Sequence, residues 1–411
     1  MKPAGSLGAA LLAAVVPVFA AAGGILALGA CTSCQSTVRT APMPVIAASS
    51  FDGVVADPSA HQLYLADGTL NGVDVVDISS ATPRFVGTVK LTSAPSGLAI
   101  APDRHRLYAG MAAGTVEVID TDPASSRSMQ VIDSINVMPG GADLLDYSPQ
   151  TQRLYVGMGA GNEVVTIDTT TDKVRLRLAA KALVEQPRYN PADGMVYVTT
   201  PTTDSLLQIS PATGNITRTY VIPKCRPTGL AINSARHLAM VGCGSSVGLI
   251  NLQTGAHSVT TAVQGGDLVA YDPAADRFMV GSPHNRTDSA VGVFYGDGGF
   301  LGSVAATPQA HAAVFDIAHG VVYAPGTAGL MSFAPPVCEP PPDWLKFAGG
   351  MSVFAVPLLG LALFLILYAR RLRRPRERTK PTFRDLQEQD LETERERMRA
   401  LEDGILGPEG G

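Results

Sequence analysis

The chain is poor in charged and in aromatic side chains, and each shortage narrows the classes of protein to which it can belong. Charged residues make up 16% and aromatic residues 6% of its 411 residues, and the formal net charge is −5. A nucleic-acid-binding surface needs clustered lysine and arginine, so this charge-poor, mildly acidic chain predicts no nucleic-acid partner. Helical periodicity is absent between residues 51 and 333, which indicates an all-β fold there.

Motifs that carry chemistry are scarce as well. The seven histidines fall mostly at turns without metal-ligand spacing, and no nucleophile-elbow sequence is present. Cys31 and Cys34 spell C-x-x-C, but residue 35 is Gln, so covalent haem attachment is excluded. The glycine-rich stretches lie between strands, with no helix behind them to bind phosphate. The sequence therefore predicts no catalytic residues, no enzyme activity and no organic cofactor.

What the chain does have is a repeat. A strand containing Leu-Tyr, as in Leu107-Tyr108-Ala109-Gly110, is followed by a strand of the type Val-x-Val-Ile-Asp, and an Asp-Pro, Ser-Pro or Asn-Pro turn precedes the pair. The aromatic or its replacement recurs at steps of 44, 47, 42, 42, 40 and 44 residues, at Tyr64, Tyr108, Tyr155, Tyr197, Ala239, Met279 and Tyr323. This period, with about four short strands per unit, predicts a seven-bladed β-propeller.

The second unit shows the strands most clearly. Residues 97–101 form the expected inner strand, 106–110 and 115–120 the next two, and 130–137 the outer one. A single four-stranded sheet has two apolar faces, and packing in a closed ring buries both. The seventh unit contains only three strands before a proline run, so we expect residues 45–48 to supply its outer strand. The predicted propeller spans residues 45–334.

Part of this repeat resembles a known family. Tyr155-Val156-Gly157, Tyr197-Val198-Thr199-Thr200 and the stretch 164–174 resemble the YVTN β-propeller repeat, which is similar to bacterial surface-layer propellers and to the propellers of some quinoprotein and haem enzymes. The resemblance covers about residues 45–335. Blades two to four carry it best, because Ala239 and Met279 replace the aromatic later. It implies an exported seven-bladed propeller and no particular activity.

The N-terminal segment allows two interpretations. Residues 7–30 form an apolar run behind Lys2, and Leu28-Gly29-Ala30-Cys31 matches the pattern of a bacterial lipoprotein signal with Cys31 as the acylated residue. The run is also long enough to be an uncleaved anchor. Residues 1–30 are thus a signal peptide or an anchor, and 31–44 a linker. Under both interpretations the repeat region is exported.

A stronger membrane signal lies near the C-terminus. Residues 347–369 contain no charge, Trp344 and Tyr368 flank or end the run, and seven basic residues follow between Arg370 and Lys380. This order predicts a transmembrane helix with its C-terminal side in the cytoplasm and the propeller outside, on a proline-rich stalk of residues 335–346. In the tail, residues 370–411, we expect a helix from Thr382 to Leu401, either solvated or docking a cytoplasmic partner.

Five cysteines suit an oxidising compartment. Cys225 precedes the inner strand of blade five and Cys243 ends its second strand, so the two residues lie side by side if these strands form a hairpin. Cys34 and Cys338 flank the domain and are the second predicted pair, which leaves Cys31 for a lipid.

Aligning the units on their turn prolines reveals one polar column, six residues before the proline. Its acidic members are Asp52, Asp143, Glu185 and Asp267; the other units have Ser96, Thr228 and Ala312. The column opens the inner strand, so four carboxylates are predicted to ring one mouth of the channel. Grouped carboxylates attract a divalent cation or a basic ligand. Alternatively, Arg188 and Arg226 neutralise them, or they cap strand-end amides.

These features predict a membrane-anchored, extracytoplasmic propeller acting as a non-catalytic binding or scaffold module of the bacterial cell envelope. An envelope protein, a polysaccharide or a small ligand at the propeller face is the expected partner. The alternatives are a propeller enzyme, either lactonase-like and metal-dependent or a dehydrogenase subunit, and a sensor that signals through a cytoplasmic partner.

Overall fold

The computed structural model describes residues 36–43, 51, 53–80, 82–285, 288–335, 364–368 and 383–405. The chain divides into two units, Met1–Pro340 and Pro341–Gly411. Within the described part of the first unit, the strands form seven antiparallel sheets of four strands each. The all-β, seven-bladed prediction is confirmed.

The strands are numbered in chain order and fall into four concentric sets. The inner strands are β2 (Val54–Asp57), β6 (Pro95–Ala101), β10 (Leu145–Ser148), β14 (Pro187–Asn190), β18 (Leu230–Asn233), β22 (Val269–Asp272) and β26 (Val314–Asp316). The second strands are β3 (Gln62–Asp67), β7 (Arg106–Met111), β11 (Arg153–Met158), β15 (Met195–Thr200), β19 (Leu238–Cys243), β23 (Arg277–Asn285) and β27 (Val321–Gly326).

The third strands are β4 (Gly72–Asp77), β8 (Thr115–Asp120), β12 (Glu163–Asp168), β16 (Ser205–Ile209), β20 (Ser246–Asn251), β24 (Asp288–Tyr295) and β28 (Gly329–Phe333). The outer strands are β5 (Arg84–Lys90), β9 (Val131–Asn136), β13 (Lys173–Ala179), β17 (Ile216–Val221), β21 (His257–Thr260), β25 (Phe300–Ala305) and β1 (Val38–Ala41). Each inner strand contacts the inner strand of the next blade, and β26 contacts β2, so the ring is closed.

The strand that completes blade seven is not the predicted one. β1 pairs antiparallel with β28, with Val38 opposite Phe333 and Ala41 opposite Leu330. The expected closing strand, residues 45–48, lies outside the described residues, and the place it was assigned is taken by β1. The principle of closure by the N-terminal segment is right, but the boundary at residue 45 is wrong, because the closing strand begins at Val38.

The apolar core lies between blades. Tyr108 of β7 and Leu145 of β10 belong to one buried cluster, although they come from neighbouring sheets. The five recurring tyrosines of the Leu-Tyr motif are fully buried, and four of their hydroxyls have a hydrogen-bond partner. Tyr108 Oη, for example, donates to Asp172 Oδ1 at 3.1 Å and Tyr197 Oη to Asp193 Oδ2 at 2.6 Å, whereas the hydroxyl of Tyr323 has no partner among the described residues. The motif is therefore explained by a large ring in the core with a polar end that usually finds a partner.

The glycine that comes after this motif has a packing reason. A Cβ on Gly157 would lie 2.4 Å from the carbonyl oxygen of Glu185, and one on Gly281 would lie 2.1 Å from that of His311. In both cases the contact is the backbone of the next blade, which cannot move aside without displacing its inner strand. Glycine here permits the close approach of neighbouring blades.

Blade five contains the cystine that the hairpin predicts. Cys225 and Cys243 are joined by a disulfide, with a Cα–Cα distance of 4.7 Å and both residues buried. Cys31, Cys34 and Cys338 lie outside the described residues, so the second pair and the lipidation site stay predictions.

In the second unit, a helix runs from Phe383 to Ile405, close to the predicted 382–401. Its Leu391 and Met398 are exposed. Residues 364–368 are also helical, whereas the rest of the predicted 347–369 span lies outside the described residues. No helix in the described part of the chain is long and apolar enough to cross a bilayer.

Candidate functional site

The polar column occupies equivalent positions in successive blades. The backbone N–H groups of Asp143, Glu185 and Asp267 each donate to a carbonyl of the second strand of the same blade, at distances of 2.9, 3.0 and 2.8 Å. All three residues are partly buried and stand two residues before their inner strands begin. The alignment that defined the column is therefore structurally sound; Asp52 lies outside the described residues.

The described carboxylates of the column have local partners. Asp267 Oδ2 lies 2.5 Å from His311 Nδ1 of blade seven, and His311 Nε2 lies 3.0 Å from Gln309 Oε1. Asp143 and Glu185 also take part in interactions and are not free. Among the described residues, no group of three or more His, Cys, Asp or Glu could hold a metal ion. Asp143, Glu185 and Asp267 thus do not form a cation site by themselves.

The two arginines expected near the column have other positions. Arg188 Nη1 lies 3.5 Å from Asp146 Oδ1, and the two residues stand second in the inner strands β14 and β10. Arg226 is exposed, and its backbone N–H donates to Asp204 Oδ1 at 2.8 Å. Arg188 is thus paired with Asp146 rather than with a described member of the column, and neutralisation of the column by Arg226 stays a prediction.

The central channel is narrow. A cavity of about 60 Å³ lies among the inner strands and is lined largely by apolar side chains such as Val54, Leu98, Leu144 and Val269. This volume accommodates no more than a couple of water molecules, since each occupies about 30 Å³ in the liquid. This cavity among the inner strands is therefore too small for an organic ligand.

A second cavity opens at the other face, where the inner strands end. We call it the tyrosine pocket; its volume is about 520 Å³, within the usual range for small-molecule sites. It is lined by residues of blades three to six: Asp146, Tyr147, Ser148, Gln150, Arg188, Tyr189, Pro191, Ala231, Ile232, Asn233, Ser234, Ala235, Tyr271 and Pro273.

An ion pair forms part of this pocket. Arg188 Nη1 also donates to the carbonyls of Leu145 at 3.2 Å and Pro187 at 3.1 Å, while Asp146 Oδ2 accepts from the N–H of Tyr189 at 2.8 Å. Both charged side chains are 22% exposed. Burial raises the pKa of Asp146 and lowers the pKa of Arg188, and in each case the partner's charge opposes the shift. Arg188 lines both the pocket and the narrow channel, so it stands between them.

Three tyrosines are held in place around the pair. Tyr189 stacks on Tyr155 with ring centroids 5.6 Å apart. Tyr147 Oη donates to Asp103 Oδ2 and Tyr271 Oη to Asp276 Oδ1, both at 2.9 Å. Burial, reinforced by these carboxylates, raises the pKa of each of these two phenols to about 12, so both are protonated donors at neutral pH.

This pocket was missed by sequence reasoning, although a signal was present. In the alignment on turn prolines, the residue two positions before Pro149, Pro191 and Pro273 is Tyr147, Tyr189 and Tyr271 in turn. The three tyrosines form a second column in the alignment that gave the acidic one. A column of tyrosines is easily overlooked beside a column of carboxylates, because tyrosine in a strand is ordinarily assigned to the core.

The comparison with solved structures supports the propeller fold. A chain of Kuenenia stuttgartiensis hydrazine synthase superposes with a TM-score of 0.59 and 15% sequence identity, covering 73% of this chain and 98% of that one. No protein-family model matches the sequence, and no curated protein matches it. At this identity the likeness shows the fold alone. The chain is a seven-bladed β-propeller.

Proposed function

We propose that the chain is a membrane-anchored, extracytoplasmic propeller that serves as a non-catalytic binding module of the bacterial cell envelope, with the tyrosine pocket as its binding site. The single observation that carries this proposal is the pocket. It combines a volume of about 520 Å³ with aromatic walls and a few fixed polar groups, which is the usual composition of a ligand site. Its polar groups are tied to the rigid ring by hydrogen bonds, so the site is preorganised.

Several features support the proposed location. The buried Cys225–Cys243 disulfide is of the kind found in oxidising compartments. The apolar run 347–369 with its trailing basic residues favours a span with a cytoplasmic tail. The likeness of blades two to four to the YVTN repeat also fits an exported propeller. The enzyme and receptor alternatives stay open, but no arrangement among the described residues favours either.

The pocket is tested by closing it. Ala235 lines the pocket on an exposed turn, so Ala235→Trp is expected to fill it without disturbing the core. We expect at least one compound from a panel of neutral, anionic and cationic small molecules to raise the melting temperature of the full chain in detergent, and Ala235→Trp to remove that shift. The matched control is Ala60→Trp, on the equivalent exposed turn of blade one, outside the pocket. An equal response of both tryptophan variants would contradict the proposal.

The location is tested by labelling introduced cysteines with a membrane-impermeant maleimide. We expect Ala60→Cys in the propeller to label in intact spheroplasts above the background of the parent chain. Glu396→Cys in the C-terminal helix should label only after detergent is added. Both residues are exposed, so access to them depends on the membrane alone. Labelling of both sites only after lysis would show that the propeller lies inside.

A further inference from the structure

The charge of the tyrosine pocket restricts what it can bind. Its lining contains one acid and one base, Asp146 and Arg188, and these face each other. At the rim, Asp276 is paired with Arg236 at 3.0 Å. Asp103 accepts from Tyr147 and lies outside the lining. An ionic ligand would therefore lose its hydration without meeting an uncompensated opposite charge, which is unfavourable.

The polarity of the lining also disfavours a wholly apolar ligand. Besides the ion pair, it contains the uncharged polar side chains of Ser148, Gln150, Asn233 and Ser234. Ser148 and Asn233 are buried and already hydrogen-bonded within the chain, whereas Gln150 is exposed and Ser234 is partly exposed. Covering Gln150 and Ser234 with hydrocarbon would deprive their side chains of water without offering a replacement hydrogen bond, which is unfavourable. A suitable ligand must offer donors and acceptors at several positions.

The aromatic and proline residues add a third requirement. Tyr147, Tyr189 and Tyr271 are half-buried and are fixed by stacking or by bonds from their hydroxyls, and Pro191 and Pro273 lie beside them. Such rigid rings present apolar surface at little cost in conformational entropy. The ligand must therefore combine flat apolar faces with a hydroxyl-rich perimeter.

We infer that the tyrosine pocket binds a short, uncharged saccharide. A pyranose ring has apolar C–H faces for the tyrosine and proline surfaces and hydroxyls around its edge for the serine, amide and ion-pair groups. The inference rests on the proposed function, since it names the ligand class of the same pocket. The pocket belongs to blades three to six only, so we expect one saccharide site per ring.

The experiment compares matched sugars that differ in charge. Isothermal titration of the full chain in detergent would use N,N′-diacetylchitobiose and cellobiose as neutral probes. Chitobiose, the cationic deacetylated dimer, and cellobiouronic acid, the anionic counterpart, would be their partners. We expect at least one neutral probe to bind, at least tenfold more tightly than its charged counterpart. Gln150→Ala should weaken that binding about fivefold, because it removes one hydrogen-bonding side chain.

The tryptophan variants distinguish the inference from the proposed function. Ala235→Trp should abolish binding of the neutral sugar, and Ala60→Trp should leave it unchanged. If a charged probe binds more tightly than its neutral counterpart, or if only non-saccharide members of the compound panel bind and Ala235→Trp blocks them, the saccharide inference is wrong and the pocket keeps its proposed role. If no probe and no panel compound binds, both are wrong.

Discussion

Asp74→Asn melts about 5–10 °C above the parent chain at pH 8, and the difference shrinks towards pH 4. Asp74 in β4 and Asp67 at the end of β3 are both fully buried. Among the described residues, the Oδ2 atom of each has no hydrogen-bond donor. Burial chiefly, together with the like charge of Asp67, raises the pKa of Asp74 from 3.8 to about 6. An asparagine removes this charge and offers an N–H to Asp67.

The direction of the effect is set by proton linkage. The folded chain binds the Asp74 proton more tightly than the unfolded chain, so the stability that protonation contributes is present below about pH 4 and is lost as the pH rises through about 6. A shift of this size corresponds to about 3 kcal/mol, and each kcal/mol moves the melting temperature of a domain of this size by about 2–4 °C. Melting curves of both chains between pH 4 and pH 8 provide the measurement.

The matched control for this prediction is Asp133→Asn, which removes the same charge from an exposed position on β9. Its melting temperature should stay within about 1 °C of the parent at every pH, because surface substitutions away from packed or buried polar groups change stability little. A pH-independent gain for Asp74→Asn, or an equal change in the two variants, would refute the explanation by buried charge.

The double variant Arg39→Pro with Thr40→Pro unfolds at a temperature lowered by about 5–15 °C. Both residues lie in β1, opposite Ser332 and Met331 of β28. Neighbouring residues of a strand point their N–H groups to opposite sides, so one of the two prolines removes a hydrogen bond to β28 and both restrict the backbone. Loss of the strand forfeits several hydrogen bonds of about 1 kcal/mol each and opens the ring at its junction.

The control places the same two prolines in an internal blade. Asp133→Pro with Ser134→Pro disrupts the outer strand β9, whose exposed residues match Arg39 and Thr40. Blade two is continuous with its neighbours on both sides, so this variant should lose less than half as much in melting temperature. Equal losses in calorimetry would mean that β1 is an ordinary edge strand and does not hold the ring together.

The architecture could be predicted because the repeat is local. The Leu-Tyr strands, the turn prolines and the spacing fix seven similar sheets, and such sheets have one compact way to bury both faces. The inner strand of blade two, predicted at 97–101, runs from Pro95 to Ala101. The closing strand was misplaced because its pairing depends on a partner at the far end of the domain. No local pattern in residues 38–41 predicts that they pair with β28.

The candidate site could be predicted only in part. The column of Asp143, Glu185 and Asp267 was correctly aligned, since equivalent positions in a repeat can be read from the alignment alone. What those side chains contact depends on neighbouring blades, and His311 beside Asp267 or Asp146 beside Arg188 is a contact between blades that spacing does not encode. The tyrosine pocket was missed because residues of four different blades line it, even though its three tyrosines share one position in the repeat alignment.

The pairing of Val38–Ala41 with Gly329–Phe333 has a consequence for how the molecule is made. The first propeller strand to be synthesised pairs with the last one, so six blades can be complete while the ring is still open. That final contact closes the longest loop in the domain, and such long-range joins are the slow steps of folding. A nascent chain stopped before blade seven is complete would leave β1 as an unpaired strand.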